Sequence, residues 1–540
     1  MAVTRFTFPR ILALLKQAFQ GVPDSGGPRP VPVSGTRRRF LPVLLIAVVT
    51  LASFSMTLRN GFVLDDVPFV VHNPALESLR NVPHIFLSDD AVGSGMHNPY
   101  YRPLTTLTFA LDRFLHGTDP LGYHATNLLL HIAVSVLLYL VARRIAAKPE
   151  AAFLAALLFA IHPANAEPVA YISARADLMC GLGLTASLLM HLRWRETGSR
   201  TELALSIAAF AFAAFSKCIA IAFPVLLAFH AALLVRGERR WKAAILPYVA
   251  VAAVYLVVRN SVVVMKIWEG YASFEVRISN LGVFLASYLR NALFPLGLRL
   301  FYDLPIRTYF FEPSVLSSWS IITAIALLAV SAARRHPVAV FGITWFFACL
   351  LPVSGIFGIL YPAAMADRYM YAPLIGLAIA STPLFDRIPI ETIRLRALSP
   401  LAVILLILAG GMAITTASRV TAWRDTLTYW KTADSEDPGS IPILVGIGSA
   451  YKEKGRLEEA EQMLERAIDV WDGIPATRIM LAEIDMAFKN YPGAERHLFR
   501  ALEIKPGDPQ ALTLLGDIFA RTGRIEEARE FREEASRGAP

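Results

Sequence analysis

Charge is scarce in this chain. Only 18% of its 540 residues are Asp, Glu, Lys or Arg, while 55% are hydrophobic; a soluble globular protein carries about a quarter charged residues. That shortage excludes an ordinary soluble enzyme. Cysteine is nearly absent: Cys180, Cys218 and Cys349 are the only three. All lie in apolar stretches, without the spacing of a zinc site or a disulfide framework. Lysine is short too, 10 against 42 arginines, and no Asn-X-Ser/Thr sequon occurs. Both shortages point toward a bacterial source of high genomic GC content. The net charge of +9 does not signal nucleic-acid binding, because it is unevenly spread. From Arg419 onward 17 basic residues stand against 22 acidic ones, so the tail carries about −5 and the rest about +14.

What the chain has instead is apolar length. Mean hydropathy is +0.49, and runs of roughly 17–22 apolar residues recur, the length that crosses a hydrocarbon core of about 30 Å. This is the pattern of a polytopic membrane protein. The first span, Phe40–Met56, follows Arg37, Arg38 and Arg39. Its polar leader is long and no small-residue cleavage site follows, so it reads as an uncleaved span with a cytoplasmic N-terminus. Arg143–Arg144, Arg193 with Arg195, Arg236 with Arg239 and Arg240, Arg334–Arg335 and Arg394 with Arg396 mark further cytoplasmic turns by the positive-inside rule. Counting spans between them predicts about eleven crossings and an outer C-terminus. The organisation expected is a basic cytoplasmic leader 1–39, a membrane domain 40–417, a linker 418–437 and a soluble domain 438–540.

That last domain repeats. Gly448, Ala482 and Gly516 recur every 34 residues, as do Ala460, Ala494, Ala528 and Ala467, Ala501, Ala535. Small residues at this period, with apolar residues between, are the signature of three tetratricopeptide helical hairpins. The second unit departs from it, with Asp485 where an aromatic is usual. Such a solenoid offers a surface to a peptide or partner protein and has no chemistry of its own; dimerisation or stabilisation is the plainer use.

Ionisable groups near a bilayer cost several kcal/mol unless they face a cavity or a partner. "NGFVLDDVPFV" holds the adjacent acids Asp65 and Asp66 just after the first span. "NPYYRPLTTLTF" and "GYHATNLLLH" add Arg102, His124, Asn127 and His131, the last three on one helical face. "HPANAEPVAYISARADLM" crowds His162, Glu167, Arg175 and Asp177 around two prolines. Lys217 stands alone in about thirty apolar residues, and "MADRYMYAP" carries Asp367, Arg368, Tyr369 and Tyr371. Cations suit a phosphate and carboxylates suit activation of a hydroxyl. A phosphorylated sugar carried on a lipid needs both. Two adjacent acids do not specify a metal site, so no metal ligands are assigned, and a divalent ion stays an open alternative.

In their order along the chain, these motifs resemble the transmembrane and tetratricopeptide-repeat O-mannosyltransferases and their bacterial relatives, over nearly everything after residue 40. The resemblance implies an all-α architecture: a polytopic domain of the C-type glycosyltransferase (GT-C) fold followed by the repeat solenoid. It implies transfer of a mannose-like sugar from a polyprenyl-phosphate donor to Ser/Thr of a protein, outside the cytoplasmic membrane. Asp65 or Asp66 would be the base. Arg102, Arg175, Lys217 and Arg368 would meet the donor phosphate, and His124, Asn127, His162, Glu167, Asp177 and Tyr369 would shape the substrate pocket. The family usually has glutamate after "SK", whereas Cys218 follows Lys217 here, so Lys217 is either free for phosphate or neutralised elsewhere. A lipid or glycan acceptor, and a non-catalytic repeat scaffold for an envelope complex, are the alternatives.

Overall fold

The structure, a computed structural model, describes residues 36–94, 100–234, 241–263, 272–356, 365–387 and 400–538. The leader up to residue 35 and the basic turns at Arg236–Arg240 and Arg394–Arg396 lie outside the described residues. Among those described there is no strand, and the all-α expectation is borne out. The chain divides into two compact units: Met1–Leu298 with Leu304–Arg424, and Arg299–Asp303 with Asp425–Pro540.

Thirteen helices of ten or more residues build the described part of the first unit. They are α1 (Thr36–Phe54), α2 (Pro103–His116), α3 (Pro120–Ile145), α4 (Pro149–Ala160), α5 (Arg175–Thr197), α6 (Arg200–Ser216), α7 (Phe223–Leu234), α8 (Trp241–Val262), α9 (Phe274–Leu293), α10 (Pro313–Ala332), α11 (Pro337–Leu350), α12 (Tyr371–Phe385) and α13 (Pro400–Thr421). Proline opens α2, α3, α4, α10 and α11, where its missing N–H would be unbonded anyway and its fixed φ already suits a helix. Among the described residues six helices are long and apolar enough to cross a membrane, where the sequence predicts about eleven crossings along the whole chain. A seventh forms if Pro149–Ala160 and Pro163–Ala170, bent by 50°, are one span. Other apolar runs fold as shorter helices, among them Cys218–Leu234 and Pro337–Val353. Pro163 and Pro168 explain the bent pair, because each removes a backbone donor from the helix ladder.

Helix α3 packs against α1, α4 and α5, while α12 lies against α4 and α11. The α11–α12 crossing is backbone to backbone. A Cβ on Gly342 would come within 2.3 Å of the Gly376 carbonyl oxygen, and one on Gly376 within 2.6 Å of the Gly342 oxygen. Small residues permit that approach in apolar surroundings, where packing rather than water exclusion drives helix association.

In the second unit α14 (Thr426–Glu436) precedes three hairpins: α15 (Ile441–Glu453) with α16 (Leu457–Val470), α17 (Pro475–Ala487) with α18 (Tyr491–Ile504), and α19 (Pro509–Arg521) with α20 (Ile525–Gly538). The recurring small residues sit where helices touch; a Cβ on Gly448 would meet Leu464 Cγ at 2.7 Å. Asp485 is buried at its aromatic position, where its side chain accepts from Asn490 Nδ2 at 2.8 Å. A polar clasp to the next helix replaces the ring there. Residues 418–437, expected as a linker, comprise the last turn of α13, a short turn and α14.

Candidate active site

The two adjacent acids part company. Leu64, with φ of 49°, turns the chain through the left-handed region that L-residues enter at a cost of about 1–2 kcal/mol. Asp66 is fully buried after that turn. Its Oδ1 accepts from the Ser173 N–H at 2.7 Å and the Ser173 hydroxyl at 2.5 Å, and its Oδ2 from the Val63 N–H at 3.1 Å. Burial pushes its carboxyl up to about 7 against the pull of those hydrogen bonds. Asp65 is exposed, and the Tyr171 hydroxyl bonds its carboxylate. One acid fixes the loop while the other faces outward.

The cations also separate into two kinds. Arg175 is fully buried at the start of α5 and pairs with Asp112 at 2.6 Å. It donates to Asn127 Oδ1 at 2.7 Å, to the Tyr123 carbonyl at 3.1 Å and to Thr108 at 3.3 Å, and lies over the Phe109 ring. Packing between α2, α3 and α5 thus surrounds its guanidinium with protein partners. Lys217 is likewise consumed, with Nζ 2.6 Å from both oxygens of Asp177 and only 3% of its side chain exposed. Asp177 is therefore the group that neutralises this lysine.

Arg368 and Arg102 keep open faces. Arg368 is 30% exposed, pairs with buried Glu167 through its guanidinium, and donates its own N–H to Glu167 at 3.0 Å. Arg102, 19% exposed, pairs with Asp90 at 3.4 Å and lies over Tyr100, 4.2 Å from the ring centre. Tyr100 joins the two: its hydroxyl is pushed up to about 12 by burial and Tyr369, while Arg102 and Arg368 both pull it down. Tyr369 is half-buried, with Lys217 and Arg368 each 5.0 Å from its ring centre.

The expected pocket residues hold the frame instead. His124 sits between Thr57 and the Gly61 carbonyl, each at 3.4 Å. Asn127 accepts from Arg175. His162 caps the turn at Pro163, accepting from the Ala164 N–H at 3.2 Å, and its other nitrogen lies 3.0 Å from the Ala292 carbonyl. Glu167 anchors Arg368. Each is buried and bonded within the protein, while Tyr369 of the same expected set retains an open face. Sequence reasoning missed Ser173, Tyr171, Asp90, Tyr100 and Asp112. Tyr100, Tyr171 and Ser173 lie inside motifs already singled out, where uncharged side chains drew no attention, whereas Asp90 and Asp112 lie outside those motifs. Among the described residues no three His, Cys, Asp or Glu side chains gather as a metal site.

Residues 103–265 match the dolichyl-phosphate-mannose-protein mannosyltransferase family, and residues 441–470 the tetratricopeptide repeat. The chain is 24% identical over 465 residues to protein O-mannosyl-transferase F38B6.6 of Caenorhabditis elegans, across 82% of this chain and 64% of that protein. It is 34% identical over 179 residues to protein O-mannosyl-transferase TMTC4 of Mus musculus, across 30% and 24%. Among solved structures, ArnT from Cupriavidus metallidurans bound to undecaprenyl phosphate is similar over 88% of this chain and 81% of that one, with a TM-score of 0.41 and 15% identity. The class is thus a helical membrane protein with a repeat tail. The chain is similar to the transmembrane and tetratricopeptide-repeat O-mannosyltransferases, as its motifs suggested, and spans less than two thirds of the length of the two relatives just given.

Proposed function

We propose that this protein is a membrane glycosyltransferase that moves a mannose-like sugar from a polyprenyl-phosphate donor to a hydroxyl acceptor, with Asp65 as the general base. The observation carrying this reading is the division of labour at the acidic pair: Asp66 is locked inward by Ser173 and Val63, and Asp65 is left exposed and oriented by Tyr171. Arg368 and Arg102, each paired with one carboxylate and partly exposed beyond it, are the cations that keep a face for a phosphate. In the step, the acceptor oxygen bonds the sugar's anomeric carbon and its proton passes to Asp65. The bond from that carbon to the phosphate oxygen breaks, and the lipid phosphate leaves as an anion held by the two guanidinium groups.

Helix polarity supports an extracytoplasmic site. Arg144 near the end of α3 pairs with Glu196 near the end of α5, and Asp386 beyond α12 accepts from the N–H groups of Ala147 and Lys148. The site residues lie at the opposite ends of these helices, roughly 33 Å away along α5 at 1.5 Å per residue. Basic ends on the cytoplasmic side support an outer position for Asp65 and Arg368 at a bacterial inner membrane. The repeat unit, and the names of the relatives, favour Ser/Thr of a protein as acceptor.

The test uses purified protein in nanodiscs with radiolabelled polyprenyl-phosphate sugars and either a Ser/Thr peptide or a lipid acceptor. Asp65→Asn should lose ~10²–10⁴-fold in transfer while folding normally. Asp66→Asn should lose stability instead, because its amide would face the Val63 N–H, at about 1–3 kcal/mol. Transfer to the lipid alone would move the acceptor assignment to envelope glycans. No consumption of any donor would leave the repeat scaffold as the better account.

A further inference from the structure

The outer end of α13 carries a stripe of contacts that the proposed chemistry does not itself use. Thr416, Arg419 and Val420 follow helical spacing and so share one face, and Trp423 and Arg424 stand in the turn just past the helix end. Together they grip four segments of the site, each a few residues from its working side chain. Thr416 donates to the Ile161 carbonyl at 2.7 Å, at the break that leads to Glu167. Arg419 pairs at 3.0 Å with Asp367, the residue before Arg368. The Val420 carbonyl accepts from Asn60 Nδ2 at 3.0 Å and the Arg424 carbonyl from the Gly61 N–H at 2.9 Å, at the entry to the Asp65 loop. Trp423, 1% exposed, stacks on Tyr171 with ring centres 5.0 Å apart and planes at 23°, and Tyr171 bonds Asp65.

We infer that Trp423 and Arg419 are positioning residues, through which one helix end sets the base side and the phosphate side of the site in register. Trp423 fixes the plane of Tyr171 and hence the direction from which Asp65 takes its proton. Arg419 fixes Asp367 and hence the start of the turn that carries Arg368. A buried guanidinium–carboxylate pair and a buried ring stack are stiff contacts, because moving either exposes a desolvated group or opens a void. Only the catalytic consequence of this inference rests on the glycosyl-transfer reading; the grip itself does not.

Hydrogen exchange of residues 60–71 and transfer kinetics, measured on the full chain in nanodiscs, separate the two. Trp423→Ala should speed exchange across 60–71 and lower kcat by ~10²-fold, as about 1 Å of misplacement can do. Its donor KM should stay near that of the wild type and its kcat–pH profile should shift, and Trp423→Phe should restore most of both. Arg419→Gln should chiefly raise the donor KM, with Arg419→Lys recovering part. Unchanged exchange at 60–71 in Trp423→Ala, or equal losses of kcat and KM in both alanine and phenylalanine variants, would overturn the inference. A wild type that transfers no sugar would sink the glycosyl-transfer reading. The exchange data would then decide the grip alone, loosening supporting it and no change overturning it.

Discussion

At the scale of single residues, burial decides which charges can act. Asp66 and Asp65 are neighbours in sequence, yet a left-handed Leu64 gives them opposite surroundings. For Asp66 the folded value of about 7 lies above the ordinary 3.8, so the fold favours its neutral form. The stability it contributes is complete below about 3.8, declines as pH rises and is gone above about 7, at a slope on the order of 1 kcal/mol per pH unit. Protection of residues 60–71, that is, their hydrogen exchange relative to the intrinsic rate at the same pH, should therefore be higher at pH 5 than at pH 8, and Asp66→Asn should flatten that difference. Lower protection at the lower pH would mean that the ionised carboxylate is the form the loop holds. The pair as a special feature was legible in the sequence, since two acids beside an apolar span demand an explanation. Which acid turns inward was not, because that depends on a backbone angle at Leu64 and on Ser173, over a hundred residues away.

At the scale of helices, the same limit explains the cations. The sequence shows Arg175 and Lys217 as charges stranded in apolar runs. Their counter-ions, Asp112 and Asp177, sit on other elements, 63 and 40 positions away. Only helix packing brings α2 to α5, or the loop after α6 to α5, so a one-dimensional pattern cannot pair them. The 34-residue period was legible because repeats put their contacts at fixed short spacing. Close crossings give the sharpest element-scale prediction. Gly376→Leu should force α11 and α12 apart, since even a Cβ there would lie 2.6 Å from the Gly342 oxygen and 2.7 Å from Trp345. A loss of several kcal/mol is expected from such overpacking against backbone, visible as lower yield of monodisperse protein and a lower Tm. Gly410→Ala and Gly411→Ala on α13, where a Cβ meets nothing within 4 Å, should be neutral or slightly stabilising. Equal behaviour of the two sets would mean that the α11–α12 contact is not a tight one.

At the scale of the whole molecule, the two units are not divided at a single point in the chain. The five residues Arg299–Asp303 leave the membrane unit's sequence and fold with the repeats. Arg299 pairs with Asp437 at 2.7 Å, the Leu300 N–H donates to Glu436 at 2.6 Å, the Leu300 carbonyl accepts from Tyr429 at 2.9 Å, and Asp303 accepts from Ser440 at 2.8 Å. Cutting the chain after Arg424 therefore does more than remove a tail. It strands this segment with its charge and backbone groups unpaired, each costing about 1–3 kcal/mol where it cannot reach water. A point substitution in the solenoid core avoids that fault. Leu498 is fully buried among Ala482, Ala494 and Phe519, and Leu498→Ala should destabilise the array by about 2–5 kcal/mol. Because repeat units exchange stability mainly with their neighbours, hydrogen exchange should rise across α17–α20 and stay unchanged at α3 and α5. The truncation, by contrast, should raise exchange at 294–304 and lower the yield of the membrane unit. If Leu498→Ala loosens α3 and α5 as much as it loosens α17–α20, the two units unfold as one cooperative body, and any effect of the repeats on sugar transfer must then be assigned to stability before it is assigned to acceptor binding.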